Sequence, residues 1–196
     1  TLIAFEQNGG PINPFNGAPL RIVAPGYPGS ASQKWLTRIW VRDQVHDGAK
    51  MGGQSYRVPA YPVAPGTDVP TEDMVIMGPM PVKSLITGPM DGAALPADAT
   101  SIDVRGHAWV GEGFVSEVEV TSDFGKTWHR ADLHAAPNPY AWQRWTATGP
   151  LAGRGYYEIW ARATDSQGRQ QPFAIAWNPR GYGNNSYHRI SVTVAA

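Results

Sequence analysis

Residues 177–189 have the side chains best suited to binding an anion. This run reads WNPRGYGNNSYHR, so it combines glycines, amides, aromatic rings, one histidine and the two arginines Arg180 and Arg189. An ordered loop of this composition can present guanidinium and amide donors to an oxyanion. The same residues are also typical of an inter-strand loop whose asparagines and glycines satisfy turn geometry, and composition alone favours that simpler interpretation.

Two further cations lie beside backbone that is rich in glycine and proline. Arg21 follows the run GAPL, and Lys34 follows the run GSASQ. Cations next to accessible backbone donors suit a ligand that carries phosphate. Taken singly, each of them is more typical of a surface charge.

The sequence lacks the common motifs of other catalytic and metal sites. It has no dinucleotide-binding glycine fingerprint, no P-loop, no zinc-protease motif and no serine-hydrolase elbow. The absence of cysteine removes disulfides, thiolate ligands and thiol nucleophiles from these 196 residues. The histidines show no metal-ligand spacing, so we expect no metal ligand in this chain; they are His46, His107, His129, His134 and His188.

Overall charge also narrows the possible partners. Lys and Arg total 16, and Asp and Glu total 16, so the formal net charge is zero. No overall field would recruit nucleic acid or an anionic membrane. No apolar run approaches the roughly 18 residues of a membrane span, and the opening TLIAFE has no signal-peptide pattern. We therefore expect no nucleic-acid partner and no membrane span, and we expect any export signal to lie outside this chain.

The pattern of apolar residues changes near residue 80. Before that point the chain is irregular and rich in proline and glycine, and alternation predicts one strand, over 35–41. After it, short alternating runs predict seven strands, at 82–87, 101–110, 114–121, 128–133, 142–147, 156–164 and 190–194. Strands of this number and spacing indicate an immunoglobulin-like β-sandwich.

Two expectations concern the interior of that sandwich. In the strand 114–121, alternation places Phe114, Val118 and Val120 on one buried face. Because no cysteine pair is available for a core disulfide, tryptophans are the candidates to fill the interior; these are Trp109, Trp128, Trp142 and Trp160.

Several motifs, in order along the chain, resemble the sulfite oxidase family of molybdenum enzymes. The first group resembles the second half of that family's molybdopterin-binding domain: LIAFEQNG at 2–9, GAPLR at 17–21 and GSASQKWLTR at 29–38. The second group resembles its C-terminal dimerisation domain: TSDFGKTW at 121–128, ARATD at 161–165, QP at 171–172, WNPRG at 177–181 and HR at 188–189. The resemblance implies a mainly β chain. The C-terminal part of a mixed α/β molybdopterin-binding domain, residues 1–79, would precede an immunoglobulin-like dimerisation domain, residues 80–196.

The resemblance assigns a group of residues to the molybdenum-molybdopterin cofactor. Arg21 and Lys34 lie at positions similar to the family's molybdopterin contacts, and Ser32 and Gln33 belong to the same run. Asn16 lies where vertebrate members have histidine. The resemblance implies that the Asn16 side chain makes a hydrogen bond to the pterin in place of that histidine. The cations would neutralise the pterin phosphate.

The resemblance also implies an activity, the oxidation of sulfite to sulfate with electrons passed to a cytochrome-type acceptor. Tyr56 lies where the family has its active-site tyrosine, and Arg180 resembles the arginine that binds the sulfite or sulfate anion. Nitrate reductase and sulfane dehydrogenase share both domains and stay open as alternatives. A non-catalytic β-sandwich module for binding or dimerisation also stays open, but it leaves Arg21, Lys34 and Tyr56 unexplained.

One departure from the family pattern is large. The family binds molybdenum through a cysteine, and this chain has none. We therefore expect the N-terminal half of the cofactor domain as a partner, and an incomplete enzyme without it. We also expect exposed apolar side chains where that half would pack, at Leu2, Ile3, Phe5, Trp35 and Trp40. The resemblance further implies a homodimer and, through bacterial sulfite dehydrogenases, a periplasmic location.

Overall fold

The computed structural model describes residues 1–45, 47–48 and 51–195. The helical structure among them consists of short 3₁₀ helices at Pro14–Asn16, Gly29–Ala31 and Thr71–Asp73. The strands, in chain order, are β1 (Leu2–Ala4), β2 (Glu6–Gln7), β3 (Gly10–Pro11), β4 (Arg21–Val23), β5 (Arg57–Pro59), β6 (Met74–Ile76), β7 (Lys83–Gly88), β8 (Ala93–Leu95), β9 (Ser101–Trp109), β10 (Val115–Thr121), β11 (His129–Arg130), β12 (Asp132–Leu133), β13 (Gln143–Pro150), β14 (Gly155–Asp165) and β15 (His188–Val194). Within this described part, no helix has the length and hydropathy needed to cross a bilayer.

The first of two compact units comprises Thr1–Met80 and Ala176–Gly183. Its strands form two-stranded antiparallel pairs, namely β1 with β4, β2 with β3 and β5 with β6. Its buried apolar side chains are Ile12, Val69 and Met74. The expected exposure of apolar side chains is confirmed, because each of these is more than half exposed: Leu2, Ile3, Phe5, Trp35 and Trp40.

The strand predicted over 35–41 is wrong. Trp35 has a left-handed backbone with φ of 53°, and the residues after it run on without a ladder. A strand needs a neighbouring strand for its hydrogen bonds, and among the described residues the backbone N–H groups of this segment make two such bonds, both at its start. The Trp35 N–H donates to the Gly17 carbonyl, and the Leu36 N–H donates to the Leu20 carbonyl.

The second unit, Pro81–Ile175 and Asn184–Ala196, is a β-sandwich. One sheet has the order β11-β10-β14-β15-β8, and the other has the order β12-β13-β9-β7. Neighbouring strands are antiparallel except β15 and β8, which are parallel. Valine, isoleucine and alanine side chains from both sheets form one buried cluster. The predicted β-sandwich is therefore confirmed.

The predicted strand over 128–133 is divided between the two sheets. β11 pairs with β10 in one sheet, and β12 pairs with β13 in the other. Ala131, between them, is buried, and its N–H donates to the Val118 carbonyl at 2.8 Å. The chain thus changes sheets at this residue, which alternation alone does not indicate.

Phe114 does not share the buried face that alternation gave it. The register of β10 against β14 shifts between Val115 and Glu117. This bulge turns Val115 inward beside Val118 and Val120 and leaves Phe114 63% exposed. An extra residue on one strand reverses the side-chain alternation beyond it.

The tryptophan that fills the core is Trp145, which is fully buried. A Cβ atom at Gly106, its cross-strand partner, would overlap the Trp145 ring, so only glycine leaves room for it. Of the predicted candidates, Trp160 is buried, Trp109 and Trp128 are half-buried, and Trp142 is 59% exposed. The prediction was thus right about burial only for Trp160, and it missed Trp145.

The turn after β10 depends on the Asp123 carboxylate. It accepts hydrogen bonds from the Thr127 N–H, the Thr127 hydroxyl and the Thr121 hydroxyl. Desolvation raises the pKa of Asp123, but these hydrogen bonds outweigh it and lower the pKa from 3.8 to about 2. The carboxylate is therefore more stable ionised in the folded state than in the unfolded state.

We expect the stability contributed by Asp123 to be lost as pH falls from about 3.8 to about 2. Above that window it is fully present, because the unfolded-state carboxyl is already ionised there. Asp123→Asn is expected to lower the free energy of unfolding at pH 7 by about 1 kcal/mol, a modest figure because water screens the loop. Urea unfolding at several pH values tests this. Equal pH dependence of the parent and the variant between pH 4 and 2 would contradict it.

Candidate functional site

Three of the predicted cofactor residues meet at one short turn of the first unit. The Arg21 guanidinium donates to the Asn16 carbonyl at 2.9 Å. The Lys34 ammonium donates to the Phe15 carbonyl at 2.7 Å. The Asn16 amide donates in turn to the Gln7 side chain at 3.1 Å. The turn therefore holds two cationic groups and one amide close to the same stretch of backbone.

Glycine at position 17 makes this arrangement possible. Gly17 has φ of 110°, a left-handed value that favours glycine, and a Cβ atom there would lie 2.8 Å from the Lys34 Cβ atom. Trp35 closes the other side by donating its indole N–H to the Pro14 carbonyl at 2.8 Å. Lys34 is thus packed directly against the turn, although its side chain is exposed.

The charges of this turn fit an anionic ligand. Arg21 and Lys34 both bond to neutral carbonyls, and neither belongs to an ion pair among the described residues. The Arg21 Nε atom is buried without a hydrogen-bond partner in this part of the chain. A buried unpaired donor is costly, so a phosphate beside it would supply both a counter-charge and an acceptor.

Ser32 and Gln33 have side-chain bonds within their own loop. The Ser32 hydroxyl accepts the Ala24 N–H at 3.1 Å, and the Gln33 amide donates to the Ser30 carbonyl at 2.6 Å. These bonds shape the segment that leads to Lys34. The structure does not bring these two side chains to the turn that holds Asn16.

Tyr56 and Arg180 lie in the same unit although 124 residues separate them in the sequence. The Arg180 Nε atom donates to the Gln54 Oε1 atom at 3.2 Å. The Tyr56 ring stacks on the Tyr182 ring with centroids 5.5 Å apart and planes at 27°. Segment 54–56 therefore contacts segment 180–182 at both ends.

Asn178 shapes the segment that carries Arg180. Its side-chain oxygen accepts the Arg180 N–H at 3.0 Å, and its amide donates to the Tyr182 carbonyl at 3.0 Å. The Asn178 carbonyl accepts the Gly181 N–H, and Gly181 has a left-handed φ of 67°. This tight turn leaves the Arg180 side chain exposed, with its Nη atoms available to a ligand.

The backbone at Tyr56 is strained. Its φ of 53° is uncommon for a bulky side chain. The Tyr56 carbonyl accepts the Met77 N–H at 3.0 Å, and the neighbouring Arg57 guanidinium donates to the carbonyls of Gly53 and Ser55. Bulky residues persist in this conformation where surrounding contacts hold them, and such positions are frequent at functional sites.

Sequence reasoning missed Gln54 and Tyr182 as members of this group. Tyr182 belongs to the run 177–189, but the sequence assigned no role to it or to Gln54. The runs QSY and RGY each place one of these residues two positions from a predicted site residue. That spacing becomes informative only once the two segments are known to lie side by side.

No cluster of three or more His, Cys, Asp or Glu side chains in the described ranges could hold a metal ion. His46 lies outside the described residues. The sites defined above are instead built from cations, amides and a phenol. Guanidinium, ammonium and amide groups are suited to binding anions and orienting substrates.

The fold and the candidate site define a two-unit chain, in which one unit carries a cationic turn and the other is a β-sandwich. The family model of the Mo-co oxidoreductase dimerisation domain matches residues 74–195, and that of the oxidoreductase molybdopterin binding domain matches residues 1–50. The chain therefore belongs to the sulfite oxidase family of molybdenum-cofactor oxidoreductases. The cofactor of this family is molybdenum-molybdopterin.

Individual relatives agree with that assignment. Mitochondrial sulfite oxidase of Drosophila melanogaster is 36% identical over 209 residues, which cover 98% of this chain and 36% of the relative. Nitrate reductase [NADH] 2 of Phaseolus vulgaris is 32% identical, over 98% of this chain and 23% of the relative. The solved structure of the sulfane dehydrogenase SoxCD of Paracoccus pantotrophus matches 99% of this chain and 51% of its own, with a TM-score of 0.76 and 25% identity. The chain thus spans about a third of the length of the sulfite oxidase relative.

Proposed function

We propose that the protein containing this chain oxidises sulfite to sulfate and passes the electrons to a cytochrome-type acceptor. The observation that carries the proposal is the meeting of Arg180 and Tyr56 in one unit through Gln54 and Tyr182. The 36% identity to a sulfite oxidase supports sulfite as the substrate. Homodimer formation through the second unit, an N-terminal cofactor-domain half as partner and a periplasmic location belong to the same proposal.

In this proposal the chain binds and orients the reactants. Molybdenum-molybdopterin, when bound, supplies the redox chemistry. Arg21 and Lys34 neutralise its phosphate, and Asn16 adds a polar contact at the same turn. The exposed Nη atoms of Arg180 bind an oxygen pair of sulfite, because a guanidinium matches such a pair with two hydrogen bonds. Tyr56 presents its phenol beside the bound anion.

Nitrate reduction and sulfane oxidation are the competing activities within the family. The nitrate reductase relative and the SoxCD structure both align over nearly the whole chain. The test is steady-state turnover of the molybdenum-loaded protein with sulfite, nitrate and a sulfane-sulfur compound, offered separately. Efficient sulfite turnover alone supports the proposal, whereas turnover restricted to either other substrate contradicts it.

Removing the Lys34 charge is expected to weaken retention of the cofactor. Lys34→Met deletes a charged donor from the turn, and such a loss corresponds to about ten- to hundredfold weaker binding. Molybdenum content and pterin fluorescence after gel filtration measure the effect without any assay of turnover. Arg154→Met is the matched control, since it removes an exposed cation of the second unit. Equal cofactor retention in both variants would show that Lys34 does not bind the phosphate.

A further inference from the structure

Two contacts join the segments that carry Tyr56 and Arg180. In each contact, a residue two positions from one of these site residues touches the other site residue. Gln54 lies two residues before Tyr56 and bonds to Arg180. Tyr182 lies two residues after Arg180 and stacks on Tyr56. Each predicted site residue is therefore held by a neighbour of the other.

We infer that Gln54 and Tyr182 are positioning residues that couple anion binding at Arg180 to the placement of the Tyr56 phenol. The inference rests on the proposed function, because it takes Arg180 and Tyr56 as the groups that meet the substrate. Gln54 and Tyr182 act through those two residues and do not themselves contact the substrate.

The hydrogen bonds of the Gln54 side chain allow it to orient Arg180. Its amide nitrogen donates to the carbonyl of buried Val69 at 2.5 Å, which fixes the amide so that its oxygen faces the Arg180 Nε atom. With Nε engaged, the Nη atoms of the guanidinium remain for a ligand. A guanidinium held at one edge loses less freedom when it binds an anion at the other.

Tyr182 is set up to hold Tyr56. The stack supplies contact area to a ring whose backbone is in the uncommon left-handed region. The Tyr182 carbonyl is fixed independently by the Asn178 amide, so the ring position does not depend on the Tyr182 hydroxyl. Because Arg180 and Tyr182 lie on the same hydrogen-bonded turn, a shift of Arg180 on anion binding would reach Tyr56 through the Tyr182 ring.

The test is a pair of double-mutant cycles in the molybdenum-loaded protein. Tyr182→Ala is expected to lower kcat/KM for sulfite by about three- to tenfold, the range for loss of an aromatic pair. Tyr182→Phe, which keeps the stack, is expected to match the parent. In a Tyr56→Phe background the stack remains but the phenol hydroxyl is gone, so Tyr182→Ala is expected to have almost no further effect.

The second cycle measures equilibrium binding of inorganic sulfate by calorimetry. Gln54→Ala is expected to weaken sulfate binding severalfold when Arg180 is present and not at all in an Arg180→Met background.

In the first cycle, Tyr182→Leu replaces Tyr182→Ala if the alanine variant does not fold, because leucine keeps much of the side-chain bulk and lacks the ring. Equal losses with and without Tyr56 and Arg180, or no loss at all, would overturn the coupling.

The sulfite kinetics of Arg180→Met distinguish a failure of the coupling from a failure of the proposed function. If Arg180→Met leaves sulfite kinetics unchanged, the proposed function and the coupling that rests on it both fail. If Arg180→Met impairs sulfite binding while the cycles show no coupling, only the inference about Gln54 and Tyr182 fails.

Discussion

Arg180→Met is expected to raise the KM for sulfite by about a hundredfold, because under the proposed function it removes both hydrogen bonds and the charge that would hold the anion. Methionine keeps most of the aliphatic length, and the Asn178 turn is bonded through the Arg180 backbone, which the substitution leaves intact. The loss therefore reports on the guanidinium rather than on the loop. Steady-state kinetics of the loaded protein over a wide sulfite range measure it.

Arg180→Lys is the informative companion variant. Lysine retains the charge but has no Nε donor to match the bond from Arg180 to Gln54 and no paired donors for an oxygen pair. Its KM is expected to fall between those of the parent and the methionine variant. Arg154→Met controls for the loss of one positive charge. A KM for Arg180→Met equal to that of Arg154→Met would contradict the assignment of Arg180.

Gln171→Leu is expected to lower the free energy of unfolding by about 3 to 5 kcal/mol, since several buried groups lose their partners together. The Gln171 side chain is buried and makes five hydrogen bonds. Its oxygen accepts from the Ser84 N–H, the Ser84 hydroxyl and the Ala163 N–H. Its amide donates to the carbonyls of Asn185 and Ser186.

Gln170→Leu is the matched control for that experiment. Gln170 is exposed, and its side chain donates to the Thr164 hydroxyl alone among the described residues. We expect this change to alter stability by less than about 0.5 kcal/mol. Urea unfolding of both variants gives the comparison. A Gln171 variant as stable as the Gln170 variant would mean that the buried amide does not join the two sheets.

Alternation predicted the sandwich because each strand buries one face, and that signal is local. The positions at which the strands differ from simple alternation are set by distant parts of the chain. The bulge beside Val115, the change of sheets at Ala131 and the close approach of Trp145 to Gly106 each depend on the partner strand. Segment 35–41 shows the converse, since its alternation was real but no strand of the described chain lies beside it to pair with.

The residues of the candidate site also fall into two groups, those identified from local sequence motifs and those identified only from long-range packing. The resemblance supplied Arg21, Lys34, Tyr56 and Arg180, because their neighbours in the sequence form recognisable motifs. It did not predict that Ala176–Gly183 would belong to the first compact unit, which is a property of long-range packing. Gln54 and Tyr182 gained roles only from that packing.

Metal analysis combined with a sulfite oxidation assay, on the natively purified protein that contains this chain, tests the proposed activity and the cofactor site together. We expect about one molybdenum per chain and sulfite-dependent reduction of an added cytochrome, both in a species that also contains the cysteine-bearing half of the cofactor domain. Molybdenum-loaded protein that reduces no acceptor with sulfite would contradict the proposed activity. Natively purified, folded protein without molybdenum would contradict the assigned cofactor site.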